Sequence, residues 1–320
     1  MRRDDDRNPA MRYRGRMTAN GPRITHGDRP ALLVCHMGVL SGKHPRNSIE
    51  AIAECFEANV SRIEIDIHSL DGDDYVVFHD YRFETQTTHT GAIGGATPDD
   101  VRSMRYRERP DSRPALLSEV VDLARGCDTE LQLDWKDLRL ASPPRLRALA
   151  DTVAPIRERV IVSAPQDWNL RRLRAAAPEV PQGFDPGHYI DHMIEQHQVV
   201  LPRQVGAYGY RDDHPMAFGR GNPVVDYLES RMEALALQAP GAREYFLNFR
   251  LVLQMLGDGF DPVAWLRERG IGANAWTADY PVATIPMIER LIDAGIERIT
   301  TNTTPAWMEA FSPSEAGAHG

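Results

Sequence analysis

The chain has 320 residues, a formal net charge of −9 at pH 7, and 42% hydrophobic residues. That length suits one α/β barrel or two smaller domains, and the acidic balance, with no basic run interleaved with aromatics, argues against a nucleic-acid surface. No apolar run approaches the roughly 18 residues of a membrane span. The charged N-terminus lacks the apolar core of a signal peptide, so a cytoplasmic protein is expected.

Residues 1–29 are rich in Arg, Asp, Asn and Gly without apolar period, and a mobile tail is expected there. Ala31–Cys35 is a short apolar run suited to a strand buried on both faces. It ends in His36-Met37-Gly38, which places His36 at the C-terminal end of the first strand, where parallel barrels carry their active sites. A lone structural His is the alternative. After a loop with Gly42, Lys43 and Pro45, Ser48 caps an amphipathic helix to about Asn59, with Ile49, Ile52 and Phe56 on its buried side. Cys35, Cys55 and Cys127 show no metal spacing and are expected to be reduced packing thiols. Lys43 and Lys136 are the only lysines among 37 basic residues, so a Lys inside a β pattern asks for a specific reason, such as a phosphate or metal site.

The most informative stretch runs from Ile63 to Asp80. Its first half alternates, putting Glu64, Asp66 and His68 on one strand face and Ile63, Ile65 and Ile67 on the other. Two carboxylates on one buried face repel unless a cation sits between them. Asp71-Gly72 is turn chemistry and Tyr75–Phe78 a second short strand, a hairpin that brings His79 back towards the carboxylates. The pattern suggests metal-assisted acid–base chemistry; a solvated strand face ending in a loop His is the alternative, and His68 is read as a strand-end surface residue.

Tyr81–Gly95 reads as a loop over the strand ends. Thr97 caps a short helix begun by Pro98, and Leu116–Arg125 is a second helix. Glu130–Lys136 is again a strand of period two with Gln132, Asp134 and Lys136 on one face. Asp134 and Lys136 fit either a structural ion pair or a third carboxylate ligand beside a phosphate-binding cation. Alternation continues with a helix over 143–157, a strand over Arg159–Ser163, a helix over 167–177 and a strand over Val180–Phe184. Residues 185–243 form a Gly-, His- and Pro-punctuated insertion holding one helix to about Leu237. Strands over Tyr245–Phe249, Gly272–Thr277 and Arg298–Thr301 follow, separated by helices near 263–269 and 285–294. Setting the hairpin arm aside leaves eight strands interspersed with helices. That predicts a TIM (β/α)8 barrel over residues 30–310, with a small β-hairpin after strand 2, a late helical insertion and a tail over 311–320. An open doubly wound sheet is the alternative, but no Gly-rich phosphate loop follows the first strand.

At these positions the chain resembles the glycerophosphodiester phosphodiesterase family. The resemblance rests on His36-Met37-Gly38, Pro45-Arg46-Asn47-Ser48, Glu64-Ile65-Asp66, Val76–Asp80, Asp134-Trp135-Lys136, Trp276-Thr277 and a loose Thr301–Pro305. It implies a phosphodiesterase barrel acting on a glycerophosphodiester or related small phosphodiester. Glu64, Asp66 and Asp134 are implied to hold one divalent cation, Mg²⁺ or Ca²⁺, since all-oxygen ligation disfavours zinc. Lys136 is implied to be a second positive clamp on phosphate, and His36 and His79 to be general base and acid without assignment of which is which. Trp276 is implied to wall the pocket, with barrel core as its alternative. Met37 and Arg46 depart from the family's Arg and Glu, and Asp134 is shorter than its Glu; Arg46 is expected to swing in for the lost phosphate-binding guanidinium. The His-Met opening and Asp-x-Lys strand are also similar to the sphingomyelinase D relatives of this barrel. Phospholipase D-like cleavage of a lysolipid or sphingolipid is therefore the alternative activity, and a non-catalytic phospho-ligand barrel is the other. No nucleic-acid partner is expected, and oligomeric state stays open.

Overall fold

The computed structural model of the protein describes residues 21–192 and 223–312. Residues 1–20 of the expected tail over 1–29, residues 193–222 of the expected insertion over 185–243, and residues 313–320 of the expected tail over 311–320 lie outside these residues.

The strands are β1 Arg23–His26, β2 Arg29–Cys35, β3 Arg62–Ser69, β4 Tyr75–Val77, β5 Ala115–Leu116, β6 Glu130–Trp135, β7 Val160–Ala164, β8 Gln182–Phe184, β9 Glu244–Asn248, β10 Gly272–Trp276 and β11 Arg298–Thr301. The helices are α1 Ile49–Glu57, α2 Pro98–Ser103, α3 Leu117–Ala124, α4 Pro143–Val153, α5 Asp167–Ala176, α6 Val224–Gln238, α7 Phe249–Gly257, α8 Pro262–Glu268, α9 Ile285–Ala294 and α10 Thr304–Ala310. Strands β2, β3, β6, β7, β8, β9, β10 and β11 pair in parallel, and β11 returns to β2. The sheet is therefore a closed eight-stranded TIM barrel, as expected from the alternation, and not an open sheet. Ser48 caps α1 by accepting the Ala51 N–H at 3.1 Å, and Thr97 caps α2 in a capping box with Asp100.

The expected tail ends sooner than Arg29. Arg23–His26 pairs antiparallel with β2, turning through Gly27 at φ 60°, and buries Ile24. A four-residue strand with one apolar side chain leaves almost no period to read. Two helices also escaped the pattern: α7, whose start is capped by the Asn248 carboxamide accepting the Arg250 N–H at 3.0 Å, and α10. Among the described residues no helix is long and apolar enough to cross a membrane.

The polar face of β3 points into the closed barrel, and every residue of that strand is buried. At the N-terminal end of the barrel, Arg62 donates to both carboxylate oxygens of Glu244, at 2.9 and 2.8 Å, and to Glu130 at 2.9 Å. That buried cluster balances charge at the floor. On β8, Gly183 allows the Phe246 ring across the interior, since a Cβ there would meet its Cε2 at 2.3 Å.

Above the mouth, the segment between β3 and α3 builds a second small core of Leu70, Val76, Phe78, Phe83, Ile93, Val101, Met104, Tyr106 and Leu116. This core anchors the loop after β4, and with it His79, over the strand ends.

Candidate active site

Parallel pairing of β3 with β6 sets Asp66 directly opposite Asp134 and Glu64 opposite Gln132. One oxygen each from Glu64, Asp66 and Asp134 lie within 4.8 Å of one another. Lys136 reaches back from the end of β6, with its Nζ 3.0 Å from Asp66 Oδ1 and in an ion pair with Asp134. The Glu64 carboxyl is pushed well above the usual range by burial and then by the Asp66 and Asp134 charges. Burial pushes Asp66 upward too, but Lys136 and the neighbouring histidines outweigh it and hold Asp66 low. Lys136 is raised well above its ordinary value: burial opposes its charge, and the three carboxylates overcome that.

The polypeptide braces these groups from the β2–α1 loop. Met37, in left-handed conformation at φ 52°, donates its N–H to Glu64 Oε2 at 2.9 Å. Asn47, also left-handed at φ 60°, donates its amide to Asp66 Oδ2 at 2.8 Å. Met37 thus fills the motif position with a backbone contact, and no guanidinium stands there. Arg46 is exposed and makes no hydrogen bond or ion pair with the carboxylates, so the expected inward swing is not seen.

His36 follows β2 directly. Its Nδ1 lies 3.0 Å from Asn302 Oδ1, and its Nε2 lies 3.7 Å from Glu64 Oε2. Asn302 is held in turn by Asp279, which accepts its side-chain amide at 2.8 Å and its backbone N–H at 2.7 Å. Because Asp279 takes the amide hydrogens, the Asn302 oxygen faces His36 and receives its Nδ1–H. That leaves the Nε2 lone pair on the carboxylate side. Burial, the largest influence, holds the His36 imidazole below its ordinary value.

His79 is about half exposed, at 47% of its side chain, with Nδ1 2.9 Å from Asp80 Oδ1. Asp80 also accepts from Gln86 at 3.0 Å. His68, read from sequence as a surface residue, is only 3% exposed. Its Nε2 lies 3.2 Å from the His79 carbonyl and its Nδ1 3.7 Å from Asp137, so it buttresses the loop that carries His79. Trp276 stands at the end of β10, partly exposed, with its indole N–H buried and unpartnered. Among the described residues, no hydrogen bond joins it to the carboxylate group.

The structure thus brings His36, Glu64, Asp66, Asp134 and Lys136 together, with His79 on the loop above. Asn47, Asn302, Asp279 and Asp80 were not singled out from the sequence as working residues, although all but Asp279 lie inside or beside the quoted motifs. Asn302→Leu is expected to lower kcat by about 10- to 100-fold with little change in KM, as for lost partners that orient an imidazole. Steady-state kinetics on a phosphodiester checks this, and a change confined to KM would contradict it.

Asp185, after β8, has its carboxyl pushed up to about 8 by burial and then by the Asp134 charge. A raised carboxyl favours the folded state below its unfolded value, and that contribution is lost as pH climbs through about 8. In EDTA, the Tm of Asp185→Asn relative to the unmodified protein is expected to rise from about pH 4 to pH 8 and then level off. A flat difference across that window would show that the carboxyl is not strained.

A closed barrel with two imidazoles, three carboxylates and one ammonium at the C-terminal ends of its strands has the build of a barrel hydrolase. Residues 37–185 match the Glycerophosphoryl diester phosphodiesterase family. That match spans just under half of the 320-residue chain. No curated protein matches the sequence. Among solved structures, a glycerophosphodiester phosphodiesterase from Parabacteroides distasonis is 15% identical with TM-score 0.61, covering 89% of this chain and 98% of that one. An Oleispira antarctica phosphodiesterase in complex with the product sn-glycerol-3-phosphate is 14% identical with TM-score 0.60, covering 87% and 96%. A glycerophosphodiester phosphodiesterase from Thermotoga maritima is 18% identical with TM-score 0.55, covering 89% and 100%. At these identities the likeness is one of fold.

Proposed function

We propose that this chain hydrolyses a small glycerophosphodiester by metal-dependent acid–base catalysis. The observation that carries the reading is the placement of the His36 Nε2 lone pair beside the buried Glu64–Asp66–Asp134 group and Lys136. The three carboxylates suit a hard divalent cation, Mg²⁺ or Ca²⁺: their donors are all oxygen, and Asp134 Oδ1 is buried with no hydrogen-bond partner. When bound, such a cation supplies Lewis-acid charge to a phosphoryl oxygen.

The remaining work falls to the chain's own groups. Lys136 offsets negative charge on the phosphoryl group. His36, its Nδ1–H given to Asn302, takes a proton at Nε2 from the attacking water as its oxygen bonds to phosphorus. His79, its Nδ1 tied to Asp80, presents Nε2 and returns a proton to the alcohol oxygen as the P–O bond to it breaks. Trp276, partly exposed at the end of β10, is the proposed wall of the pocket. The three free cysteines support a cytoplasmic setting.

Lysolipid cleavage is a second reading, favoured by Leu138 and Leu140, 52% and 66% exposed after β6, and Val282, 62% exposed after β10. The test is turnover of glycerophosphocholine, a chromogenic diester and a lysophospholipid with Mg²⁺, with Ca²⁺ and with EDTA. Metal-dependent release of alcohol from the soluble diesters is expected, and turnover of the lysolipid alone, dependent on detergent, moves the assignment to the second reading. Failure on every diester with either metal would remove the hydrolase proposal.

A further inference from the structure

A cavity of about 680 Å³ opens beside His79, and none of Glu64, Asp66 and Asp134 lines it. Its lining includes His79 and Asn47 together with Lys43, Arg46, Arg107 and Arg109. The guanidinium groups of Arg46, Arg107 and Arg109 are exposed, and no hydrogen bond or ion pair engages them. Three arginines face two carboxylates there, Asp80 and Glu108, and Asp80 is already engaged by His79 and Gln86. In a chain of net charge −9, arginines that outnumber the carboxylates on one concave surface and pair with neither are anomalous, because like charges repel unless an anion sits among them.

The two halves of this wall come from distant segments, and the fold ties them together. Tyr106 donates its hydroxyl to the Arg46 carbonyl at 2.9 Å. Arg107 donates its N–H to the Gln86 carbonyl at 2.9 Å, and Gln86 in turn holds Asp80. The arginine-bearing loops are thereby set in fixed relation to the imidazole that faces the leaving alcohol. The volume lies in the range of pockets that enclose whole ligands and exceeds what a simple alcohol fills.

Resting on the hydrolase reading above, we propose that this cavity is an anion subsite for a phosphomonoester carried on the alcohol of the diester substrate. Arg46, Arg107 and Arg109 grip the second phosphate, with planar guanidiniums suited to bidentate contacts. Arg46 thus acts on the far end of the substrate and not at the scissile phosphorus.

The experiment compares glycerophosphoinositol with its ring-monophosphorylated form, in the unmodified protein and in the Arg107→Gln/Arg109→Gln double variant. The ratio of kcat/KM, phosphorylated over plain, is expected to be at least about tenfold in the unmodified protein and to fall towards one in the variant. A ratio near one in the unmodified protein overturns the subsite while leaving the hydrolase reading standing. Should neither diester be cleaved, the hydrolase reading fails and calorimetric titration with an inositol bisphosphate decides the subsite. Weakening of Kd by at least about tenfold in the variant supports it, and equal affinity or no binding overturns it. Both arginines are exposed, and matching thermal melts of the two proteins verify that the variant folds.

Discussion

Alanine in place of His36 or His79 is expected to lower kcat/KM on a glycerophosphodiester by about 10²- to 10⁴-fold, the usual worth of a positioned acid or base. The two losses should differ with the leaving group. On the proposed assignment His79 returns a proton to the departing alcohol, so His79→Ala should recover most of its rate on a nitrophenyl diester, whose phenolate departs without protonation. On the same proposal His36 acts on the attacking water, so His36→Ala should stay slow on both substrates. The assignment follows from Asn302, which takes the Nδ1–H of His36 and leaves the lone pair of Nε2 beside the carboxylates. It also follows from His79 standing on the loop at the outer cavity. Equal recovery by both variants on the nitrophenyl diester, or by neither, would refute this division of labour.

The second large effect is on stability. Lys136→Met removes the ammonium beside Asp66, whose side chain is 0% exposed, and Asp134. Stripping one member from such a buried group typically costs about 3–5 kcal/mol, because it strands uncompensated charge. That loss is expected in EDTA, read from denaturant melts, and should shrink when Mg²⁺ or Ca²⁺ is added, since a cation among the carboxylates restores the balance. Binding only to the folded state adds stability by mass action. An unchanged EDTA melt would mean that the ammonium is not balancing the cluster. A loss that neither cation reduces would mean that the three carboxylates do not hold a metal.

Much of the barrel was legible because β/α alternation is a local property. Each barrel strand showed a run of apolar or alternating residues, and several helices announced themselves by caps such as Ser48 and Thr97. Helix α7 was hidden because β9 runs into it through Asn248, with no loop to mark the change of period. Strand β1 was hidden because it gains its stability from pairing with β2, not from an apolar pattern of its own.

The sequence by itself determined which side chains share a face. Period two placed Glu64 with Asp66 and Asp134 with Lys136, and the strand ends placed His36 and His79 near one rim. It did not determine whether those faces were wet or dry. The same alternation describes a strand half exposed to solvent and a strand whose polar face is sealed inside a barrel. Closure of β11 onto β2 made the polar face the interior. Closure also brought Asn302 to His36 across 266 residues of chain. The tether from Tyr106 to Arg46 likewise gathered the arginines around one cavity. These contacts join segments far apart in the chain, so no local period encodes them, and only the packing of the whole barrel sets the charge, protonation and reach of the groups the sequence had named.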